Sequence, residues 1–328
     1  GMRILARVAA LFVALTATPV AFAQAEYPGG KVVKMVVPFP AGASTDAVSR
    51  LVAQKLGEAL GAPVIVDNRP GASGIIGSEI VAKSAPDGYT LMFTIGAPLV
   101  MNPITYRKLP YDPDRDFVPV VQIATLTSFL VVTPVFPANN IQEFMTLAKA
   151  KSRRITFGSF GTGTGGHVAG EFFNKVYGTA LDHIPYKGVA DAVRDVITGQ
   201  IDTMFIDLTT AGQLIRSGKL RALAAVGTVR APALANVPTF AESGFPGLER
   251  MSKGWYGLLA PAKTPRPVLE RLAREGEKIA RSADTAAKFA EWGLEPAGIT
   301  LEKFAGQIRA ERAVNRRIID EIGGISLD

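Results

Sequence analysis

The stretch Val36-Val37-Pro38-Phe39-Pro40-Ala41-Gly42-Ala43-Ser44-Thr45-Asp46-Ala47-Val48-Ser49-Arg50 contains the strand–turn–helix pattern on which the fold prediction for this chain rests. Its first residues end an apolar run, 32–37, that predicts a buried strand, and a turn rich in proline and glycine follows. Ser44, Thr45 or Asp46 can cap the next helix, because apolar residues recur behind them at helical spacing. Free N–H groups at such a helix start can bind an anion. The alternative is an ordinary, purely structural turn between a strand and a capped helix.

A second stretch repeats this design. The predicted strand Ile155-Thr156-Phe157 leads into Gly158-Ser159-Phe160-Gly161-Thr162-Gly163-Thr164-Gly165-Gly166, and a helix is predicted over 167–177. Glycines let a ligand approach the backbone, and the hydroxyls in this loop add hydrogen-bond donors. The glycine spacing also fits a dinucleotide fingerprint, but the next strand ends in Tyr186-Lys187 where that fingerprint has an acid. We therefore expect no dinucleotide cofactor.

The mature chain contains two successive β-α-β-α-β patterns, which predict two α/β lobes with mostly parallel sheets. The apolar run 118–133 is long enough to cross from one lobe to the other, and a strand near 255–259 is expected to cross back. We expect lobe 1 to comprise 24–126 and 257–328, and lobe 2 to comprise 127–256. Two connecting segments would permit hinge closure.

The first residues predict a cleavable signal peptide over 1–23, cut after Ala23, and hence export to the periplasm. No later run is long and apolar enough to predict a transmembrane helix. The formal charge is +7, and removing Arg3 and Arg7 lowers it by two. No basic cluster is interleaved with aromatics, so we expect no nucleic acid partner. The chain has no cysteine, which excludes thiol catalysis and cysteine-ligated zinc.

Catalytic motifs are not apparent. The chain has no Walker sequence and no GxSxG nucleophile motif. His167 and Glu171 are four residues apart, but a metal site needs further ligands, so we predict neither a metal site nor another cofactor. Single acids such as Asp46 and Asp207 could act in acid–base catalysis, yet such residues more often cap helices. The loop aromatics Phe39, Phe160 and Tyr186 could enclose a small ligand or pack beneath their loops.

Motifs that resemble one known family occur in order over nearly the whole mature chain. They are Tyr27-Pro28, 36–46, Val66-Asp67-Asn68-Arg69-Pro70-Gly71-Ala72, Pro86-Asp87-Gly88-Tyr89-Thr90-Leu91, Leu109-Pro110-Tyr111-Asp112-Pro113, Phe157-Gly158-Ser159, Pro185-Tyr186-Lys187-Gly188, 218–224 and Gly257-Leu258-Leu259-Ala260-Pro261. The chain thus resembles the Bug-type (TctC-like) substrate-binding receptors of tripartite tricarboxylate transporters. The resemblance implies a two-lobed periplasmic binding protein of the Venus-flytrap, type II-like, fold.

The resemblance also implies which residues line the ligand site, with a small organic acid held largely by backbone groups and waters. The expected site residues are Phe39, Gly42, Ala43, Ser44, Thr45, Asp46, Gly96, Ala97, Ser159, Gly161, Thr162, Thr164, His167, Tyr186, Lys187 and Asp207. Three positions depart from the family pattern. Ala43 stands where a second glycine is common, 95–98 lacks the usual hydroxyls, and Asp207 would repel a second carboxylate or attract an ammonium.

We therefore expect a monomeric, non-enzymatic receptor for a small organic carboxylate, with a membrane permease of the tripartite tricarboxylate type as its partner. Two alternatives stay open. The protein could deliver its ligand signal to a membrane kinase, or it could be an exported α/β enzyme.

Overall fold

The computed structural model describes residues 26–251 and 253–328, which form two α/β lobes, each built on one sheet. The two-lobed fold expected from the sequence is confirmed. The predicted signal peptide lies outside the described residues.

Lobe 1 contains a six-stranded sheet in the order β11-β4-β10-β3-β1-β2. Its strands are β1 (Val33–Val37), β2 (Val64–Asn68), β3 (Thr90–Ile95), β4 (Phe117–Leu126), β10 (Gly254–Pro261) and β11 (Leu294–Thr300). Its helices are α1 (Ser44–Leu60), α2 (Ile75–Ala82), α3 (Asn102–Thr105), α8 (Arg266–Arg281), α9 (Ala283–Trp292) and α10 (Leu301–Glu321). A π-helical turn, Ala97–Met101, precedes α3.

Lobe 2 contains a five-stranded sheet in the order β7-β6-β8-β5-β9. Its strands are β5 (Ser128–Val132), β6 (Ile155–Ser159), β7 (Leu181–Pro185), β8 (Thr203–Asp207) and β9 (Arg221–Ala225). Its helices are α4 (Ile141–Ala150), α5 (Gly165–Tyr177), α6 (Val189–Ile197) and α7 (Leu208–Arg216).

The chain crosses between the sheets at two places. Only Thr127 separates β4 in the first sheet from β5 in the second. The return crossing precedes β10, whose first residue, Gly254, pairs with Leu126. Residues 254–256, which the sequence places at the end of lobe 2, therefore pair within the first sheet. Which segments move as rigid bodies stays a prediction.

Both sheets are mixed, not mostly parallel. The β-α-β units pair in parallel, as β1 does with β2 and β3, and β6 does with β7 and β8. The crossing strands β4, β5 and β10 run antiparallel to their neighbours. The sequence did not predict β11, an edge strand that contains Pro296 and Gly298 and pairs irregularly with β4. Proline lacks the N–H that a regular ladder needs, and both residues weaken the strand pattern.

Apolar side chains that recur at helical spacing face the sheets. On α1, the apolar positions at helical spacing are Val48, Leu51, Val52 and Leu56. Val48, Val52 and Leu56 are fully or almost fully buried in one core cluster with β1 and β3, and Leu51 packs partly buried against it. No helix among the described residues is both long and apolar enough to cross a membrane.

Candidate functional site

A cavity of about 670 Å³ lies between the lobes, and both lobes contribute its walls. Lobe 1 supplies the loops that follow β1, β2 and β3, and lobe 2 supplies the loops that follow β6, β7 and β8. Strand β10 and helix α10 complete the wall. The ends of several β-strands thus meet at one cavity, which is where α/β proteins commonly bind ligands.

The loop after β1 leads into α1, and the first turn of this helix lies at the cavity. Helix α1 begins at Ser44, and its N-cap is Ala43, in extended conformation and with no side-chain cap. The prediction that Ser44, Thr45 or Asp46 is the capping residue is therefore wrong, because the helix starts one residue earlier. With no capping side chain, the first-turn N–H groups stay available at the wall that Ala43, Ser44 and Thr45 line.

The Asp46 side chain holds this loop in place through hydrogen bonds. Its Oδ2 accepts hydrogen bonds from the Gly42 N–H, at 2.9 Å, and from Arg50 Nε, at 3.0 Å. Its Oδ1 accepts from Asn68 Nδ2, at 3.0 Å. Burial alone would raise the pKa of Asp46, but these hydrogen bonds hold it below its ordinary value. The carboxylate thus fixes the turn at Gly42, whose φ of 83° is in the left-handed region.

The loop after β6 leads into α5 in the same way. The N-cap of α5 is Thr164, which makes no side-chain cap and donates its hydroxyl to the Gly161 carbonyl at 2.7 Å. Thr164, Gly165 and Gly166 line the cavity. The first turns of α1 and α5 therefore line the same cavity, one from each lobe, as the repeated sequence design predicts.

Two histidines hold the second loop from beneath. His167 Nδ1 accepts a hydrogen bond from the Gly163 N–H at 3.0 Å, and His183 Nε2 lies 2.6 Å from Ser159 Oγ. The two imidazoles stack with their centroids 3.9 Å apart. Burial lowers the pKa of His167, and burial together with the neighbouring His167 lowers that of His183 to about 4. Both rings are therefore neutral at pH 7.

Asp207 lies at the N-terminus of α7, where its Oδ1 accepts from the Thr210 N–H at 3.2 Å. The side chain is buried on the cavity wall, and burial raises its pKa. Tyr256 lies beside it, and its pKa is raised by burial and then by the Asp207 charge. Asp207 is thus a helix cap that also faces the cavity.

The loop after β7 contributes one of its two predicted residues. Lys187 lines the cavity with an exposed side chain. Tyr186 instead turns toward α6, where its hydroxyl donates to Asp195 Oδ2 at 2.8 Å. Burial and then that hydrogen bond raise the pKa of Tyr186 to about 12.

The structure brings most of the predicted site residues to one cavity. Those that line it are Phe39, Gly42, Ala43, Ser44, Thr45, Gly96, Ala97, Thr164, Lys187 and Asp207. Those that do not are Asp46, Ser159, Gly161, Thr162, His167 and Tyr186. Most of the second group fix loop conformation from behind. Phe39 and Phe160 both line the cavity, one from each lobe.

Sequence reasoning missed several parts of the wall, among them two in lobe 1. The loop 71–74 lines the cavity, with Ala72 and Ser73 at left-handed φ values of 47° and 53°. Helix α10 contributes Glu311 and Asn315. The signal for α10 was present in the sequence, because Glu311 and Asn315 continue the buried stripe formed by residues such as Phe304 and Ile308.

The lobes approach each other closely beside the cavity. A Cβ added at Gly161 would lie 3.6 Å from Ser73 Oγ of lobe 1. A Cβ added at Gly163 would lie 3.1 Å from Thr105 and 3.2 Å from Leu327, both in lobe 1. At Gly163 a Cβ would be tight against lobe 1, whereas at Gly161 the distance is that of ordinary van der Waals contact, so the absence of a side chain matters for the approach of the lobes at Gly163.

The described residues contain no group of three or more histidines, acids or cysteines that could hold a metal ion. Ser159 and His183 form a hydrogen-bonded hydroxyl–imidazole pair. Ser159 is only 2% exposed and its hydroxyl also donates to the Gly161 carbonyl, so it is not presented to the cavity.

The chain has relatives among known protein families. The model of the tripartite tricarboxylate transporter family receptor matches residues 48–324. The chain is 38% identical to the "UPF0065 protein in tcbD-tcbE intergenic region" of Pseudomonas sp. (strain P51), over 87% of this chain and 84% of the relative. It is 34% identical to protein BugT of Bordetella pertussis, over 95% of each chain.

Solved structures agree. The fold is similar to that of Rpa4515 from R. palustris, solved with adipate, with a TM-score of 0.87 and 32% identity over 92% of this chain and 100% of that one. It is also similar to MatC from Rhodopseudomonas palustris with bound malate, with a TM-score of 0.79 and 27% identity over 89% of this chain and 99% of that one. The chain therefore belongs to the family of tripartite tricarboxylate transporter receptors.

Proposed function

We propose that this chain is a periplasmic solute receptor that binds a small organic carboxylate between its lobes and delivers it to a membrane transporter of the tripartite tricarboxylate type. The observation that carries the proposal is the pair of helix N-termini without side-chain caps, α1 from lobe 1 and α5 from lobe 2, that line one cavity. Family membership supports it, as do related structures with adipate and with malate.

The chemistry of the walls suits a carboxylate. First-turn N–H groups and the helix dipole together favour negative charge at a helix N-terminus. Lys187 adds a positive charge at the cavity wall. The ligand carboxylate would accept hydrogen bonds from both lobes, and a ligand bound by both lobes stabilises the closed form over the open one.

A receptor fits the cavity better than an enzyme does. Ser159 and His183 are hydrogen-bonded, but neither lines the cavity. Asp207 does line it, yet its carboxylate is engaged as the cap of α7. We also propose that the chain is exported by its N-terminal signal, works as a monomer and has a membrane permease as its partner.

A thermal-shift screen tests the proposal. Mono-, di- and tricarboxylates, aromatic acids and amino acids are each added to the purified chain, with NAD as a negative control. An acid at about 100 times its dissociation constant adds roughly 2.7 kcal/mol of stability. The entropy of unfolding of a chain of about 300 residues is roughly 0.6 kcal/mol/K, so the melting temperature then rises by about 4 °C. Stabilisation by no carboxylate at all would refute the proposed function.

A further inference from the structure

Four consecutive residues at the cavity wall, 71–74, have positive φ. The angles are 133° at Gly71, 47° at Ala72, 53° at Ser73 and 86° at Gly74, and all four residues line the cavity. Glycine adopts such angles without steric cost, whereas a residue with a Cβ is strained there. Strained residues that the surrounding structure holds in place occur often at ligand sites. Of the two strained residues, Ser73 is the one whose side chain can form a hydrogen bond.

Lobe 1 alone holds this turn in its conformation. Asn102 is 3% exposed, and its Nδ2 donates to the Ser73 carbonyl at 3.0 Å. The Gly74 N–H donates to the Gly71 carbonyl at 3.1 Å, and Ser78 Oγ donates to the Gly74 carbonyl at 2.7 Å. All these residues belong to lobe 1, so Ser73 has a fixed position before any ligand binds. Such preorganisation lowers the entropic cost of binding.

The hydroxyl of Ser73 is accessible and unpaired. Ser73 is half-buried, and its Oγ makes no hydrogen bond to any residue that the structure describes. The fully buried side-chain atoms that lack a partner belong to Gln122, Thr210 and Asn315. Because Ser73 Oγ is not one of these atoms, it retains accessible surface. A ligand can therefore reach it, and a hydroxyl can donate one hydrogen bond.

This hydroxyl lies where lobe 1 meets the start of α5. A Cβ position built on Gly161 of lobe 2 is 3.6 Å from Ser73 Oγ and 3.9 Å from Thr164 Cγ2. Thr164 is the N-cap of α5 and lines the cavity, as Ser73 does. Ser73 Oγ is thus beside a helix start to which we assign the ligand carboxylate, although it belongs to the other lobe.

The hydroxyls of the loop before α5 do not supply this donor. Ser159 and Thr164 both donate to the Gly161 carbonyl, at 2.9 Å and 2.7 Å. Thr162 does not line the cavity. A hydroxyl donor at the start of α5 therefore has to come from lobe 1.

We infer that Ser73 binds the ligand directly: its hydroxyl donates a hydrogen bond to the ligand carboxylate at the start of α5. This inference rests on the proposed function, because it needs a carboxylate in the cavity. The hydrogen bond joins lobe 1 to a ligand that lobe 2 also holds. It can form only when the lobes lie together, so it stabilises the closed form relative to the open one.

Isothermal titration calorimetry of Ser73→Ala tests the inference. The probes are succinate, malate, adipate, hexanoate and benzoate, together with any further acid that the thermal-shift screen identifies. For each acid that binds the unmodified chain, the dissociation constant should rise at least tenfold, as expected for a lost hydrogen bond to a charged group. The rise should be similar for all of them, because a carboxylate is the group that they share. The melting temperature without ligand should stay unchanged, because Ser73 Oγ makes no hydrogen bond within the described part of the chain.

Two glycine variants separate the hydroxyl from the shape of the turn. Ser73→Gly removes both the hydroxyl and the strain at this residue, so the melting temperature without ligand should not fall, while the dissociation constant should rise as in Ser73→Ala. Ala72→Gly is the matched control. It relieves the same kind of strain at the neighbouring residue but keeps the hydroxyl, so its affinity should stay within threefold of that of the unmodified chain.

The outcomes distinguish this inference from the proposed function. If Ser73→Ala loses less than tenfold in affinity, or if Ala72→Gly loses as much as Ser73→Gly, the inference is wrong and the proposed function stands. A loss confined to malate would assign Ser73 to the hydroxyl of that acid, and the assignment to the carboxylate would be wrong. If none of the five acids, and none of the wider screen, binds the unmodified chain, the proposed function itself is wrong and the inference falls with it.

Discussion

Placing a carboxylate at the N-cap of α1 should stabilise the protein and weaken ligand binding. Ala43 has φ −77° and ψ 168°, the extended conformation that N-cap residues adopt, and it makes no cap. Ala43→Asp therefore needs no backbone change. The new side chain accepts from the first-turn N–H groups that we assign to the ligand.

The magnitudes follow from those hydrogen bonds. A gained N-cap contributes about 1 kcal/mol to folding, which raises the melting temperature by a few degrees. A lost hydrogen bond to a charged group costs the ligand about 1.5–3 kcal/mol, or about 10- to 100-fold in dissociation constant. Repulsion between the two carboxylates acts in the same direction.

Differential scanning fluorimetry and calorimetric titration with the best acid measure both effects. Thr300→Asp is the matched control, because Thr300 is the N-cap of α10, makes no side-chain cap and does not line the cavity. It adds the same charge away from the cavity and should leave affinity unchanged. A variant Ala43→Asp that is more stable yet binds its ligand normally would refute the assignment of the carboxylate to α1.

Three further predictions concern closure, buried polarity and pH. Gly163→Ala should keep the lobe 2 loop from lying against lobe 1, so the radius of gyration in small-angle scattering should fall less when ligand is added. The control Gly178→Ala has a similar left-handed φ but open space around it, and its radius of gyration should fall as in the unmodified protein. An equal fall in both variants would contradict the contact. Gln122→Met should raise the free energy of unfolding, measured by urea titration, by about 1–3 kcal/mol, because neither amide atom of this fully buried side chain has a partner among the described residues. The control Gln54→Met, at an exposed position, should change the free energy of unfolding little. Because the pKa of His183 is lowered, its contribution to folding stability is complete above pH 6.5 and is lost as the pH falls toward 4. The melting temperature of His183→Gln should therefore depend less on pH over that window than that of the unmodified protein. Parallel curves of melting temperature against pH would contradict this.

The units of the fold could be predicted because local signals agreed with one another. An apolar run, a glycine-containing turn and a helical apolar stripe together predicted β1 and α1 to within a residue or two. The direction of the crossing strands could not be predicted this way, because the pairing partners of β4 are β10 and β11, which lie far away in the sequence.

The sequence predicted which backbone segments line the cavity more accurately than which side chains do. Both helix starts line the cavity, as the strand–turn–helix pattern indicated. His167 and Tyr186 face away from it, because the direction of a loop side chain depends on packing that sequence spacing does not specify. Glu311 and Asn315 were not predicted, because they lie in the middle of a helix and not in the loops where the strand–turn–helix pattern places a ligand.

The order of the strands has a consequence for how the protein is made. Strand β4 lies between β10 and β11, and both of these strands follow the whole of lobe 2 in the sequence. As the chain emerges during synthesis or export, lobe 2 receives all its strands while β4 still lacks both neighbours. Its apolar residues, Val120, Val121 and Ile123, are fully buried only in the finished sheet. Until the last quarter of the chain arrives, lobe 1 therefore presents an open sheet edge of the kind that chaperones protect from aggregation.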